Sequence, residues 1–522
     1  VLGVNLSRVG GLTITSQDST NSTSELTLNG TLTGTGFSDT LRLTFTGAGN
    51  TIVNGAISIT GSASDIQMTG TGQLTLNAAT SAVDDWLIGG GVVNAMASNA
   101  LNATDNVVIT GTGTQGSVVV NIDGTAGASG VHQGNDFYIR GGAHVNVLVN
   151  NGISTGTDQL LIGDSGSNSA AAAGLLNLVN ANISPTSLLL GTTGGQIGII
   201  TGTGTLSTTG SKELRNGTIG EGITLGGNGA IIKNVVGTVT FYGQRDVAAT
   251  GNVEVREGEL ILDYSLNNSS KIGNTLVLGI NSAITNPILT INGNASAATL
   301  QSVGTTTIAS AFTAVNINNG SGQTATLALG AISRAVVGGA VAFRYSSADA
   351  VATSTGPAGT LGWATVGTGL GLARLAAIDG SGNIVAASTS VANDVAAWTK
   401  GLNVINDAAF TGTVGTCEIE SLTFAASAAS TITIGATNRL VISSGGILVS
   451  EGLGNVNLVI TGGELIGGKS SAGGILGELI IHQNNVGSSG TTGLLTIASN
   501  IVNSSGITKT GAGTLVLTGS NT

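Results

Sequence analysis

Hydrophobic and polar residues alternate along this chain in short bursts, each closed by Gly, Asn, Asp or Ser. Glu25-Leu26-Thr27-Leu28-Asn29, Leu41-Arg42-Leu43-Thr44-Phe45, Ala56-Ile57-Ser58-Ile59-Thr60 and Ser117-Val118-Val119-Val120-Asn121 set the manner. Leu188-Leu189-Leu190-Gly191, Gly222-Ile223-Thr224-Leu225-Gly226 and Ile288-Leu289-Thr290-Ile291-Asn292 continue it. A period of two sends alternate side chains to opposite faces, so each burst predicts a short strand with one buried face. No stretch of similar length carries a helical apolar period, and helices are expected to be short.

The clearest copy of the recurring phrase is Thr508 to Thr522: a glycine-punctuated turn, then Leu515 and Leu517 on one face with Thr514, Val516 and Thr518 on the other. Leu515 and Leu517 are expected inside. Looser copies stand at Thr71–Asn77, Thr201–Leu206, Arg256–Leu262 and Thr461–Leu465. Strands this frequent, with no linker between them, fit a stack of coils of roughly twenty to thirty residues, the scale of known solenoid repeats. Aliphatic side chains then stack inside, and Thr, Ser and Asn form ladders outside. The run Ala170 to Ala173 is expected to be a loop or a tightly packed coil.

Between about Gly330 and Gly415 the texture changes. Alanine rises, Pro357 appears, and Phe343, Tyr345, Trp363 and Trp398 cluster. Regular bursts then return at Ser421–Phe424, Thr431–Ile434, Asn438–Ile442, Gly446–Val449 and Gly477–His482. The expected organisation is therefore coils over 1–329, an irregular Ala- and Trp-containing interruption or decorated coils over 330–415, and coils again over 416–522.

The phrase at Thr508–Thr522 resembles the passenger-associated repeat of bacterial autotransporters. The stretch Thr360-Leu361-Gly362-Trp363-Ala364-Thr365-Val366, followed by Ala376–Gly382 and Trp398, resembles an element of large autotransporter-like proteins of planctomycete and verrucomicrobial type. This resemblance implies one continuous right-handed parallel β-helix, export, and display on the surface of a Gram-negative-type bacterium. It also implies a longer protein, because the family repeat usually continues past Asn521-Thr522.

Composition sharpens the picture. Of 522 residues 85 are Gly and only 3 are Pro, which suits many tight turns and excludes collagen and Pro-rich disorder. Charged residues make up 8%, against roughly 25% in an ordinary domain. Polarity comes instead from Thr, Ser, Asn and Gly. With 16 basic and 27 acidic residues, a net charge of −11 and no basic cluster, nucleic acid is not expected as a partner. The single cysteine, Cys417, excludes an internal disulfide framework and shares the parity of Ile419, which predicts a small core residue. No run approaches the roughly 18 apolar residues of a membrane helix.

Glycoside cleavage needs two carboxylates at a set separation. The pairs on offer are Asp84 with Asp85, beside a Trp86 suited to sugar stacking, Glu257 with Glu259, and Glu418 with Glu420. Adjacent strand residues face opposite ways, so Asp84 and Asp85 are not expected to flank one bond. Glu254 and Arg256 predict a surface ion pair. His132, His144 and His482 stand at no metal-ligand spacing. The oxygen-rich turns Asp379–Asn383 and Gly163–Asn168 lack the acids of a calcium loop and predict Asx turns. N-x-S/T triplets at Asn21, Asn102 and Asn216 are expected by chance in so Asn-rich a chain.

No catalytic, cofactor-binding or metal-binding residue is therefore assigned, and the chain is expected not to be an enzyme. The expected function is that of a secreted structural or adhesive segment of a long extracellular fibre. Its expected partners are copies of itself, with a cell-surface glycan or a neighbouring cell as further partners. The alternative is a surface protein that binds or degrades polysaccharide. An acidic, aromatic groove would favour the alternative, and a uniform hydroxyl and amide surface the fibre.

Overall fold

A computed structural model describes residues 6–17, 25–61, 63–123, 135–150, 152–153, 158–163, 172–280, 287–309, 312–334, 336–368, 374–469, 476–487, 493–502 and 504–521. Asn21, His132, Ala170, Ala171, Thr522 and most of the turn at 163–168 lie outside them. Every described element is a strand except one short 3-10 turn, Val395–Ala397. The fold is all-β, and the strands lie in long parallel stacks. The chain forms two compact units. The first comprises 1–253, 259–262 and 269–271, and the second 254–258, 263–268 and 272–522.

In the first unit successive strands pair parallel with the strand one turn of chain earlier, in register but for a shift between Val179 and Ala181. Leu43, Ile66, Trp86, Val107, Phe137, Leu160 and Leu188 occupy successive rungs of one column. Leu74, Val93, Val120, Val145, Leu176 and Ile200 form another. All thirteen side chains are buried, each contributing about 1.5–3 kcal/mol by leaving water. Rungs recur at the predicted interval, for example 43 to 66, 66 to 86 and 107 to 137. Stacking this close leaves no room for a Cβ at some corners. Gly47 has φ +100°, and a methyl there would lie 1.9 Å from the Ser16 carbonyl oxygen of the neighbouring rung. One polar residue sits in the core column: Lys212, between Leu188 and Ile231, donates to Gly229 O at 3.0 Å. Burial lowers its pKa to about 8.

The second unit begins with parallel rungs, such as Thr275–Leu278, Thr305–Ile308 and Ala331–Arg334. Parallel pairing then gives way. Gly359–Thr368, Arg374–Ile378 and Asn383–Ala386 pair antiparallel, and the last returns antiparallel to Ala350–Thr353. A second parallel series follows, through Asn403–Asn406, Ser421–Phe424, Gly446–Val449, Glu478–Gln483 and Gly506–Thr510. Its core contains Trp398 stacked on Phe410 at 6.1 Å, with Leu422, Ile447 and Ile481.

Three strands of this series, Ser421–Phe424, Gly446–Val449 and Glu478–Gln483, are buried on both faces. Gly359–Thr368 covers the outer face, and Leu448 packs there against Leu375 and Ala387. The polar side chains trapped beneath have partners. Arg334 meets Glu478 in a two-pronged ion pair of 2.6 and 2.9 Å, with neither side chain exposed. Glu478 also accepts from Gly338 N at 3.2 Å and Thr508 Oγ1 at 2.5 Å. The Arg334 guanidinium lies 6.0 Å from the Trp363 ring centre. His482 bonds Thr510 Oγ1 at 2.8 Å through Nδ1 and Gly362 O at 2.9 Å through Nε2.

Two sequence expectations need correction. Leu515 and Leu517 stand in register with the buried Leu495 and Ile497, so they point inward as expected, yet Leu515 is only half-buried and Leu517 is 38% exposed. Among the described residues no further rung covers theirs. Cys417 likewise has inward parity but is half-buried, its Sγ donating to Trp398 O at 3.5 Å.

Breaking the Arg334–Glu478 pair from one side should leave an uncompensated buried charge. Glu478→Ala is expected to cost about 3–5 kcal/mol in urea unfolding, and the double variant Arg334→Met with Glu478→Leu far less. His482 yields a pH signature. Burial, with Arg334 adding to it, lowers its pKa to about 4 from 6.5. A base whose pKa falls on folding is stabilised fully above its unfolded pKa. Melting temperature should therefore drop as pH falls from about 6.5 to 4, and His482→Gln should flatten that slope.

Candidate adhesive surface

Because rungs are in register, a residue type repeated at one outward position becomes a continuous ladder. Thr75, Asn94, Asn121, Asn146 and Asn177 share one outward column of the first unit. Each amide nitrogen donates to the rung before it, over 3.3 Å from Asn94 to Thr75 and then 2.8, 2.8 and 2.9 Å along the asparagines. Asn77, Asn54 and Asn29 make a second ladder at 2.8 and 2.7 Å. The second unit repeats the device with Asn318, Asn292 and Asp263, both bonds being 3.0 Å. Beside the first ladder runs a half-buried column of Gln73, Val92, Val119, His144, Leu175 and Ile199. His144 bonds Gln115 through Nε2, and burial lowers its pKa. The exposed face is thus one of amides, hydroxyls and aliphatic carbons at rung spacing, with few charges.

In two of the suspected acidic pairs one member is held by donors. Trp86, the supposed sugar platform, is wholly buried in the core column, as Trp363 and Trp398 are in theirs. Asp85 accepts from Asn106 N at 2.9 Å. Glu254 pairs with Arg256 at 2.6 Å, as expected. Glu418 accepts from Ser443 Oγ at 2.8 Å and has Lys400 at 3.5 Å and Lys469 at 4.0 Å. The Ser443 hydroxyl and the two lysines lower its pKa, whereas burial and the neighbouring Glu418 raise that of Glu420. Asp379 accepts from Ser381 N, Asn383 N and Asn383 Nδ2 at 2.8, 2.8 and 3.0 Å, the Asx turn the sequence predicts, and these bonds hold its pKa low.

Sequence reasoning missed two groupings. A cavity of about 360 Å³ opens at the antiparallel interruption, lined by Tyr345, Ser347, Val366, Thr368 and Arg374 among others. Arg374 is the one charged side chain lining it, and the Tyr345 hydroxyl is committed to Ile384 O at 2.8 Å and Ala352 N at 3.2 Å. No acid–base pair converges there. In the first unit, stacking brings one carboxylate oxygen from each of Asp39, Asp65 and Asp84 within 4.8 Å of the other two. No local spacing signals that meeting, because the three residues come from different rungs.

No helix among the described residues is long and apolar enough to cross a membrane. The chain is 32% identical over 285 residues, 52% of its length, to a protein described as an adhesin, the BmaC autotransporter of Brucella suis biovar 1 (strain 1330). It spans 8% of that relative's length. No family model matches the chain, and no solved structure does. The likeness to an autotransporter adhesin, with the all-β parallel stacks, carries the passenger resemblance and an extracellular, cell-surface location on a Gram-negative bacterium.

The ladders make a direct prediction. Asn121→Ala removes one bond to Asn94 and one from Asn146, and should lower unfolding free energy by roughly 1–2 kcal/mol. Combined with Asn146→Ala, the loss should be less than additive, since the two share a bond.

Proposed function

We propose that this chain is a segment of an autotransporter passenger that acts in adhesion, folded as a right-handed parallel β-helix interrupted over about 330–415. The observation that carries the reading is the 32% identity to an adhesin over half of the chain. The surface supports it. Adhesion to broad surfaces suits a repeated face of amides, hydroxyls and aliphatic carbons better than a cleft, and the three tryptophans that could stack on sugars are buried. Asp85 and Glu418, one member of each of two suspected pairs, are already held by backbone, Ser and Lys donors. The chain on this reading is not an enzyme.

The finer part of the proposal is that copies associate side by side into a filament. Weak charge and matched rung spacing favour contacts through hydroxyls, amides and aliphatic burial, which salt screens little. Purified chain should compete with bacteria bearing the full-length protein for attachment to host cells or matrix. Unchanged attachment at saturating chain, or release of reducing sugar from surface polysaccharide, would overturn the adhesive reading. Light scattering in molar salt separates the finer part, which fails if the chain stays near 51 kDa at every concentration.

A further inference from the structure

We propose that Asp39, Asp65 and Asp84 form a calcium site that ties three successive rungs of the first unit together at one corner. Stacking of the rungs sets the placement. Leu43, Ile66 and Trp86 stack on one another, and the three acids lie just ahead of them: Asp39 in the turn before Leu43–Thr46, Asp65 next to Ile66 and Asp84 two residues before Trp86. Rungs stand about 4.8 Å apart, so acids at the same corner are carried into reach of one another.

One oxygen from each of the three carboxylates lies within 4.8 Å of the other two. Calcium bonds oxygen at about 2.3–2.6 Å, so two of its ligands lie no more than about 5 Å apart. Small side-chain rotations would let one ion touch all three. Oxygen-only ligation favours a hard cation, which argues against zinc. A site built from three side chains of unlike exposure suits calcium's flexible coordination better than the strict octahedron of magnesium.

A separate observation points to a ligand. The Asp65 side chain is only 3% exposed, and its Oδ2 is held by Arg42 Nε at 2.9 Å. Its other oxygen, Oδ1, is sealed from solvent and has no hydrogen-bond partner. A buried acceptor is rarely left unmatched, and a cation at this corner would match it. Nearby charge runs the same way. Asp85 and Asp105 stand close enough to act on Asp65 and Asp84 respectively, and Arg42 is the cation paired into the cluster. Arg42 opposes the ion, which sets the expected affinity in the weak range of extracellular modules, on the order of 10⁻⁴–10⁻³ M.

The test is calorimetric titration of calcium chloride into chelator-treated full chain, paired with melting curves. The expected result is one site in that range and a rise in melting temperature with calcium. Asp39→Asn, at an exposed turn and so compatible with folding, and Asp84→Asn should each weaken binding at least tenfold and abolish the calcium-dependent rise. Asp123→Asn, outside the cluster, should change neither. Absence of heat and of a melting shift up to about ten times the weak limit of that range would overturn the proposal. So would equal binding by the Asp39 and Asp84 variants, or an equal melting shift from sodium chloride of matched ionic strength, which would reduce the effect to screening.

Discussion

In-register parallel pairing is the constraint on which the rest depends. Once Leu43 lies under Ile66 and Ile66 under Trp86, every other side chain has its neighbour assigned: the residue at the same position one rung away. Like then stacks on like. Aliphatic residues make continuous core columns, and asparagines make hydrogen-bonded ladders whose amides all donate in one direction. The same rule makes mistakes costly, because a one-residue slip would turn a whole rung inside out. Glycines such as Gly47, which admit the neighbouring carbonyl where a methyl would collide, keep the rungs close enough for the pairing to form.

What could be read from the chain follows from this. Alternation in Ala56-Ile57-Ser58-Ile59-Thr60 is local, and Ile57 and Ile59 are buried with Ser58 and Thr60 exposed. The interval between rungs and the outward amides were legible for the same reason. Contacts between rungs were not, because the number of residues per turn varies from corner to corner. Asp39, Asp65 and Asp84 look unrelated until the stacked rungs bring their carboxylates together, and Arg334 and Glu478 are 144 residues apart. Parity alone also says nothing of whether a further rung lies above, which is why Leu517 points inward and is still exposed. Trp86 carried a false signal. Its acidic neighbours suggested a binding platform, but its parity belongs to the core column.

A chain so sparing of charge nonetheless contains a fully buried ion pair. The explanation lies in the strand Glu478–Gln483, which is covered on both faces. Its outward-parity residues must find partners inside protein, and Arg334, Thr508, Thr510 and Gly362 supply them. Apolar substitutes would pack there too, but would not fix which strand lies against which. The antiparallel segment over Gly359–Ala386 and the second parallel series are therefore joined by chemistry with a single good alignment.

The ladder Asn29–Asn54–Asn77 carries a clock. Asn29 and Asn54 are each followed by glycine, the sequence in which a backbone nitrogen most readily attacks the side-chain amide and releases ammonia. Conversion of Asn54 to aspartate would replace the donor that now reaches Asn29 Oδ1 at 2.7 Å with a second acceptor, setting two oxygens against each other. Each such event adds a negative charge to a surface that has few, at a position repeated on the next rung. Material displayed outside the cell, beyond repair, would thus grow more acidic and less tightly laced with age, and the isoaspartate content at residues 29 and 54 would record how long it had been there.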